Sequence, residues 1–338
     1  MPKMKIGFSL VNLVLGGAQM FTIQLVSGLV KRGHSADYVL FADPKDSRRV
    51  TPTLLEELDQ YATRKPKPSQ LQSCDVIQLD GYHPMHRKLP YLRSFSNCIE
   101  TYHSSYSIRR SGPVYAPHRI AVSKYIQHKL KTSSRLIYQG VPLPDQKIEE
   151  NKIFDVAIIG RFHPVKNQLL FLDICENLFK VLGKLSVLII GFDSNDRHYS
   201  NSIQTRIEHL QTLGLKIATT GRRTQEEIYE YLRQTRTLLV TSRDEGFGRM
   251  AIEAMACSVP VVANPVGGLL EIIKDGSTGY LAIKDNIDSF THRTIGLLSN
   301  PVLCKNLGSQ GRAHVEQYFS LEKMLNNYEG TYLEIGTA

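Results

Sequence analysis

The apolar and polar positions of this chain alternate between two periods. KIGFSLV, at the amino end, is a short and almost unbroken apolar run of strand character. From Ala18 to Lys31 the apolar residues Phe21, Leu25 and Leu29 recur at helical spacing, and Gly33 stands where that helix would stop. Further strand-like runs follow at ADYVLFA, CDVIQL, NCIETYH and RIAVS, with a helix predicted from Lys124 to about Thr132. The segment IYQGVPLPDQKIEENK, with one Gly, two Pro and mixed charge, then breaks the pattern and reads as a linker.

Beyond it the alternation resumes. FDVAIIG, LSVLIIGF, LKIATTG, TLLVTS and VPVVAN are predicted strands. Helices are predicted over Asn167–Leu182, around Ser202–Leu213, and over Gln225–Gln234, Arg249–Cys257 and Leu269–Ile273. Two further helical stretches, about Pro301–Tyr318 and Leu321–Ile335, close the chain. Runs such as VLII and PVVA suit strands buried on both faces of a parallel sheet. The expected fold class is therefore α/β, with two doubly wound, Rossmann-like units in tandem and a cleft between them. The expected limits are 1–145 and 146–320, with 321–338 a terminal helix returning to the first unit.

Charge sharpens this division. Residues 1–145 carry 20 Lys+Arg against 10 Asp+Glu, whereas 146–338 carry 21 against 22, so the whole formal charge of +9 originates in the first half. A one-sided basic unit suits an anionic partner such as a membrane surface or a phosphorylated substrate, although solubility charge alone can produce it. Arg64, Lys65 and Lys67, Arg87 and Lys88, and Arg109 and Arg110 are the candidate surface contacts. The basic residues are not interleaved with aromatics as in RNA-binding sheets, so nucleic acid is not expected as a partner. No apolar run approaches the roughly 18 residues that cross a bilayer, and the first residues lack a signal-peptide core. Five scattered cysteines without a CxxC pair read as reduced thiols. A cytoplasmic location is expected, with peripheral attachment to the inner face of the membrane open.

Candidate chemistry clusters in the loops that leave strands and enter helices, where open parallel sheets bind ligands. Gly16-Gly17-Ala18-Gln19 follows the first strand; it is neither GxGxxG nor a P-loop, and a tight turn explains it as well. Gly160-Arg161-Phe162-His163-Pro164-Val165-Lys166-Asn167 places two cations around a helix start, a suitable cradle for a diphosphate, although a solvated basic loop reads the same alone. Val266-Gly267-Gly268-Leu269 is a second Gly-Gly before a helix. Glu245-Gly246-Phe247-Gly248 turns into a helix that carries Glu253 about one turn in. Charge complementarity with the helix start would explain Glu253, and solvent exposure Glu245. Neither HExxH nor GxSxG nor any Asp-x-Asp occurs, so zinc hydrolysis, a serine nucleophile and a metal-held diphosphate lack their usual motifs.

Together these segments resemble a family 4 retaining glycosyltransferase of the GT-B fold. The carrying motifs are GGAQ at 16–19, YH at 102–103, AVS at 121–123, GR at 160–161 followed by Lys166, ATTG at 218–221, EGFGRMAIEAMA at 245–256 with its E-x7-E spacing, VGGLLEII and STGYL. The resemblance spans nearly the whole chain. It implies that Arg161 and Lys166 hold the diphosphate of a nucleotide-sugar donor, and that Glu253 binds the ribose hydroxyls. It implies that Glu245 binds hydroxyls of the donor sugar, with Gly246 and the amides of Phe247 and Gly248 nearby. Gly16 and Gly17 would lie at the diphosphate, His103 near the transferred sugar and Arg223 near the base. The implied reaction is same-face transfer of a hexose, glucose by family frequency, from a UDP-sugar to a glycan or lipid-linked oligosaccharide. Fixed cations replace a metal ion, so neither metal nor other cofactor is expected. Three departures stand out: Gly191-Phe-Asp-Ser where a second glycine is usual, Ser258 for Gly and Leu270 for Pro. A nucleotide-sugar epimerase of the same architecture and a non-catalytic nucleotide-sugar sensor are the competing readings.

Overall fold

The computed structural model describes residues 2–14, 16–47, 49–80, 96–105, 108, 116–146, 152–192 and 196–336. Arg87, Lys88, Arg109 and Arg110 lie outside them, as do Leu15 of the first Gly-Gly loop and Asp193-Ser194 of the Gly191 turn. The chain divides into two compact units, Met1–Gly140 with Leu321–Ala338, and Val141–Ser320. The division falls at 140/141, where the sequence suggested 145/146. The Val141 amide donates to the Phe319 carbonyl at 3.0 Å, and the Pro142 and Pro144 carbonyls accept from Tyr229 and Arg312, each at 2.9 Å. The linker is thus divided: Ile137 to Gly140 stay with the first unit, and Val141 to Pro144 are held by the second.

In the first unit the described elements are β1 (Lys5–Leu10), α1 (Gly17–Lys31), β2 (Ser35–Leu40), α2 (Pro52–Tyr61), β3 (Thr63–Arg64), β4 (Val76–Asp80), β5 (Cys98–Tyr102), β6 (His118–Ala121), α3 (Lys124–Leu130) and β7 (Arg135–Leu136). The strands form one parallel sheet in the order β3-β2-β1-β4-β5-β6-β7. Pattern reading missed α2, whose buried stripe is only Leu54 and Leu58, with Pro52 at its first position. It also missed β3 and β7, two residues each, too short to show a period.

The terminal helix α11 (Leu321–Gly336) belongs to this unit. Met324, Leu325, Tyr328, Tyr332 and Ile335 join the core of Phe8, Phe21, Leu25 and Ile99. Burying such side chains is worth roughly 1.5–3 kcal/mol each. A buried polar network accompanies them. Gln78 Nε2 donates to Thr101 Oγ1 at 2.9 Å, Thr101 Oγ1 meets the Tyr328 hydroxyl at 3.1 Å, and the Tyr332 hydroxyl donates to Gln78 Oε1 at 2.9 Å. On the helix flank, Glu329 is bound by Arg32 at 2.6 Å and His34 at 2.9 Å.

In the second unit the elements are β8 (Phe154–Ile159), α4 (Gln168–Leu182), β9 (Ser186–Ile190), α5 (Arg197–Thr212), β10 (Lys216–Thr220), α6 (Gln225–Arg233), β11 (Thr235–Val240), α7 (Arg249–Ala256), β12 (Val261–Ala263), α8 (Leu269–Ile272), β13 (Tyr280–Leu281), α9 (Ile287–Ser299) and α10 (Pro301–Tyr318). The sheet is again parallel, in the order β10-β9-β8-β11-β12-β13. Helix α5 starts earlier than expected, because the Asp196 carboxylate caps it by accepting the Tyr199 amide at 3.1 Å. Helix α9 was missed; its sequence is mixed and polar, but Asn286 caps it at the Ser289 amide and it buries Phe290 and Leu297. Strand order reverses between β8 and β11, which opens a crevice at the carboxyl ends of those two strands. Among the described residues no helix is long and apolar enough to cross a membrane. All five cysteines are free, and burial pushes the Cys74 and Cys257 thiols up to about 11 and about 12.

Candidate functional site

The reversal point of the second sheet brings together two loops. The first leaves β8 and carries Arg161 to Asn167; the second leaves β11 and carries Thr241 to Gly248. Backbone and side-chain bonds stitch them. The Arg243 amide donates to the Val165 carbonyl at 2.8 Å, and Thr241 Oγ1 donates to the carbonyls of Lys166 and Asn167 at 3.1 and 3.0 Å. Asn264, fully buried after β12, donates through Nδ2 to the carbonyls of Thr241 and Ser242 at 3.0 and 3.2 Å. The same Nδ2 donates to Asp285 Oδ1 at 2.8 Å, and Asn264 Oδ1 accepts the Asp285 amide at 2.9 Å. Asn264 therefore fixes the end of β11, and with it the place where both loops meet.

At that place Lys166 Nζ forms an ion pair with Glu245 Oε1, which also accepts from Ser242 Oγ at 2.8 Å. Glu245 Oε2 has no bonded partner among the described residues. A small cavity beneath the pair is lined by Ile158, Lys166, Val240, Ser242, Glu245 and Met250. The cation expected at a diphosphate and the acid expected at a sugar are thus adjacent, which their separation of 79 residues hides. Arg161 is exposed, with no ion pair among the described residues. Beside it, burial and then the charges of Arg161 and Lys166 hold the His163 imidazole below its ordinary value. His163 Nδ1 accepts the Val165 amide at 3.2 Å. Neutral His163 therefore keeps its proton on Nε2 and adds no charge to the two cations.

Helix α7 starts behind this pair. Gly248, its cap, has φ +114°, and a Cβ there would lie 2.7 Å from Leu269. Glu253, one turn in, is 2 % exposed. Its Oε1 accepts from Arg249 Nε at 2.8 Å and from Gln225 Nε2 at 3.1 Å, while its buried Oε2 has no hydrogen-bond partner among the described residues. Burial pushes this carboxyl up, against the opposing pull of Arg249 and Gln225. A buried carboxylate with one paired and one unpaired oxygen is equipped to accept a hydroxyl. The sequence-level alternative, charge complementarity with the helix start, is replaced by a specific partner. Arg249 and Glu253 stand four apart on one helix, a spacing that could have named the pair. Gln225 carried no such signal.

In the second Gly-Gly turn, a candidate anion loop by its place before a helix, four amides are engaged within the protein. The amides of Gly268, Leu269, Leu270 and Glu271 already donate to the carbonyls of Glu245, Val266, Gly267 and Gly268. Its glycines answer to a close approach instead. A Cβ on Gly267 would lie 1.8 Å from the Glu245 carbonyl oxygen, and one on Gly268 2.3 Å from that of Phe247. The turn thus braces the Glu245–Gly248 loop from outside. Phe247 is buried edge-on against Phe319, with ring centroids 5.7 Å apart. Gly246 is half-buried in the same loop. Arg223 lies in the turn between β10 and α6, 4.0 Å from Glu227.

Gly16, Gly17 and His103 belong to the first unit. Gly16, with φ −176°, caps α1, which opens at Gly17 after β1. His103 follows β5; its Nδ1 lies 2.9 Å from Gln139 Nε2, and its ring meets Phe21 edge-on at 4.7 Å. The partnership with Gln139, across 36 residues, left no trace in the sequence. No cluster of three or more metal-ligating side chains occurs among the described residues.

The family model of group 1 glycosyl transferases matches residues 144–314, and the chain belongs to that family. Its fold is that of the GT-B glycosyltransferases, two α/β units each built on a parallel sheet. The chain is 33% identical over 225 residues to the uncharacterised glycosyltransferase MJ1178 of Methanocaldococcus jannaschii, covering 64% of this chain and 59% of that protein. It is 35% identical over 111 residues to the N-acetyl-alpha-D-glucosaminyl L-malate synthase of Bacillus anthracis, 33% of this chain and 29% of that enzyme. The matches thus span at most about three-fifths of these relatives. Among solved structures, Alr3699/HepE of Anabaena in complex with UDP-glucose superposes with a TM-score of 0.80 at 20% identity, covering 98% of this chain and 100% of that one.

Proposed function

We propose that this protein is a family 4 retaining glycosyltransferase that moves a hexose, glucose in the first place, from a UDP-sugar to a glycan or lipid-linked oligosaccharide. Envelope or exopolysaccharide synthesis at the cytoplasmic membrane face is the setting that suits a basic first half. The observation that carries the reading is the arrangement in the second unit. Lys166 and Glu245 pair at the crevice, Arg161 stands open beside them, and Glu253 keeps one buried oxygen unpaired one helical turn away. In this reading Arg161 and Lys166 neutralise the departing diphosphate, doing without a metal the work a divalent cation does elsewhere. Glu245 accepts hydroxyls of the hexose through the oxygen Lys166 leaves open. Glu253 accepts from the ribose, and Arg223 lies beside the base. The roles of Gly16, Gly17 and His103 rest on the resemblance alone.

The complexes of Alr3699/HepE with UDP and with UDP-glucose support a uridine donor by analogy of fold. The test is a donor panel of UDP-, GDP- and ADP-hexoses incubated with the protein in the presence of EDTA and mixed acceptors, with nucleotide release and products followed. Release of one nucleoside diphosphate with a glycosylated product supports the proposal. Sugar scrambling without an acceptor indicates an epimerase, and binding without turnover a sensor.

A further inference from the structure

Outside the two crevice loops, one residue is held in an unfavourable backbone conformation. After β13 the chain turns from Ile283 to Asn286, closed by the Asn286 amide donating to the Ile283 carbonyl at 3.1 Å. Asp285, third in that turn, has φ +54°. Glycine is the ordinary choice there, because a Cβ in the left-handed region crowds the backbone. Among the described residues Lys131, Asn167 and Ser258 share such a φ. Lys131 and Ser258 follow helices α3 and α7, where a left-handed residue is a usual stop, and Asn167 lies in a crevice loop. Asp285 ends no helix. Strain of this kind persists where the surroundings fix it, and it points to a task.

What fixes Asp285 is Asn264. The Asp285 amide donates to Asn264 Oδ1 at 2.9 Å, and Asp285 Oδ1 accepts from Asn264 Nδ2 at 2.8 Å. The two bonds close a ring, so the buried Asn264 amide group is held at both of its polar atoms and cannot roll. The carboxylate takes one N–H of Nδ2 in a charge-assisted bond. The other N–H is left for the carbonyls of Thr241 and Ser242, at 3.0 and 3.2 Å. Ser242, itself buried, donates its hydroxyl to Glu245 Oε1 at 2.8 Å. Contacts therefore run unbroken from an exposed turn to the carboxylate at the crevice. A glycine at 285 would keep the backbone bond and remove the strain. It would also leave the Asn264 amide tied to the turn at one atom, free to roll.

We propose that Asp285 is a positioning residue of the donor site, orienting Glu245 through Asn264 and Ser242. This rests on the donor-site reading above, in which Glu245 holds the hexose. The test is nucleotide release at saturating donor, with whichever UDP-, GDP- or ADP-hexose the full wild-type chain turns over fastest. The variants are Asp285→Asn, Asp285→Gly, Glu245→Gln and the double Asp285→Gly/Glu245→Gln. Asp285→Gly is expected to lower the rate about 10-fold, less than the roughly 100-fold that a misplacement of about 1 Å costs. Its melting temperature stays within about 3 °C of the wild type, because relieved strain offsets the lost bond. Asp285→Asn keeps an acceptor at Oδ1 and tolerates the left-handed turn, so it stays within about 2-fold of the wild-type rate. Glu245→Gln falls at least as far as Asp285→Gly, and the double variant is no slower than Glu245→Gln alone, since both act through one carboxylate. The proposal is overturned if Asp285→Gly keeps the wild-type rate, if Asp285→Asn is as slow as Asp285→Gly, or if the two losses multiply in the double variant. An Asp285→Gly chain that melts far below the wild type marks a merely structural residue and overturns it too. Each of these outcomes leaves the donor-site reading standing while Glu245→Gln is slow. Glu245→Gln at the wild-type rate overturns that reading and the proposal with it, as does turnover of no donor.

Discussion

Replacing Glu253 by Gln perturbs the site without emptying it. The amide oxygen can still accept from Arg249, so the buried guanidinium keeps a partner. Leucine would break that buried ion pair outright, at a cost of up to about 3–5 kcal/mol, and confuse binding with folding. What the Gln variant loses is the anionic Oε2, the atom assigned to the ribose. A hydrogen bond from a hydroxyl to a buried carboxylate is worth about 1.5–3 kcal/mol, or roughly 10- to 150-fold in affinity. The assay is titration calorimetry with UDP and with 2′,3′-dideoxy-UDP, which lacks both hydroxyls. Wild-type protein should prefer UDP by that factor, and Glu253→Gln should bind the two ligands alike. The dideoxy ligand controls for damage elsewhere, because its affinity should not depend on residue 253. Acid should act like the mutation. Burial raises the Glu253 carboxyl, so its ionised form, and with it the UDP preference, is present at high pH and is lost as pH falls through that raised value, before ordinary carboxylates protonate. Equal affinity of the wild type for both ligands, or a preference that survives Glu253→Gln, would refute the assignment.

Other consequences are independent of Glu253. Arg161→Ala should lower the transfer rate at least about 100-fold by removing leaving-group stabilisation, while the melting temperature stays put because the side chain is exposed and unpaired among the described residues; full activity at saturating donor would sink its role. Gly268→Ala, which forces a Cβ onto the Phe247 carbonyl, should cost at least about 1–3 kcal/mol in denaturant melts and abolish nucleotide binding. Gly296→Ala, whose Cβ meets nothing within 4 Å on helix α9, should instead gain about 0.4–1 kcal/mol. Glu329 is raised by burial but pulled lower overall by His34 and Arg32. Its contribution is therefore complete above the unfolded carboxylate value and disappears as pH falls through the lowered folded value. Glu329→Gln should accordingly destabilise the chain by about 1–3 kcal/mol at neutral pH and by less in acid that protonates the wild-type carboxyl, read as the wild-type-minus-variant difference in urea midpoints.

How much of this was legible in the sequence depended on range. Long strands and amphipathic helices declared themselves, because burial on both faces of a sheet leaves runs such as FDVAII and SVLII with little else to be. Two-residue strands such as β13 carry no period, and α9 disguises its apolar face among Thr, His and Gly. The loops at the switch point were located by topology alone. Their internal wiring was not, since Lys166–Glu245, Gln225–Glu253 and Asn264–Thr241 join residues tens of positions apart. Gly267-Gly268 is instructive in the same way. A Gly-Gly before a helix means only that something comes close; here it is the carbonyl of Glu245. Arg249–Glu253 was within reach, because the spacing of four on one helix is a local signal.

The central claim is that the second unit grips a nucleotide diphosphate through Lys166 and its neighbours. Titrating UDP into the full-length wild-type chain and into Lys166→Ala, at the same pH and ionic strength and with EDTA present, tests it without knowledge of the acceptor. The account predicts a single saturable site in the wild type that weakens about 10- to 100-fold in the variant, the worth of one charge-assisted contact to phosphate. Equal affinity in the two chains, or no saturable site in the wild type, would contradict it.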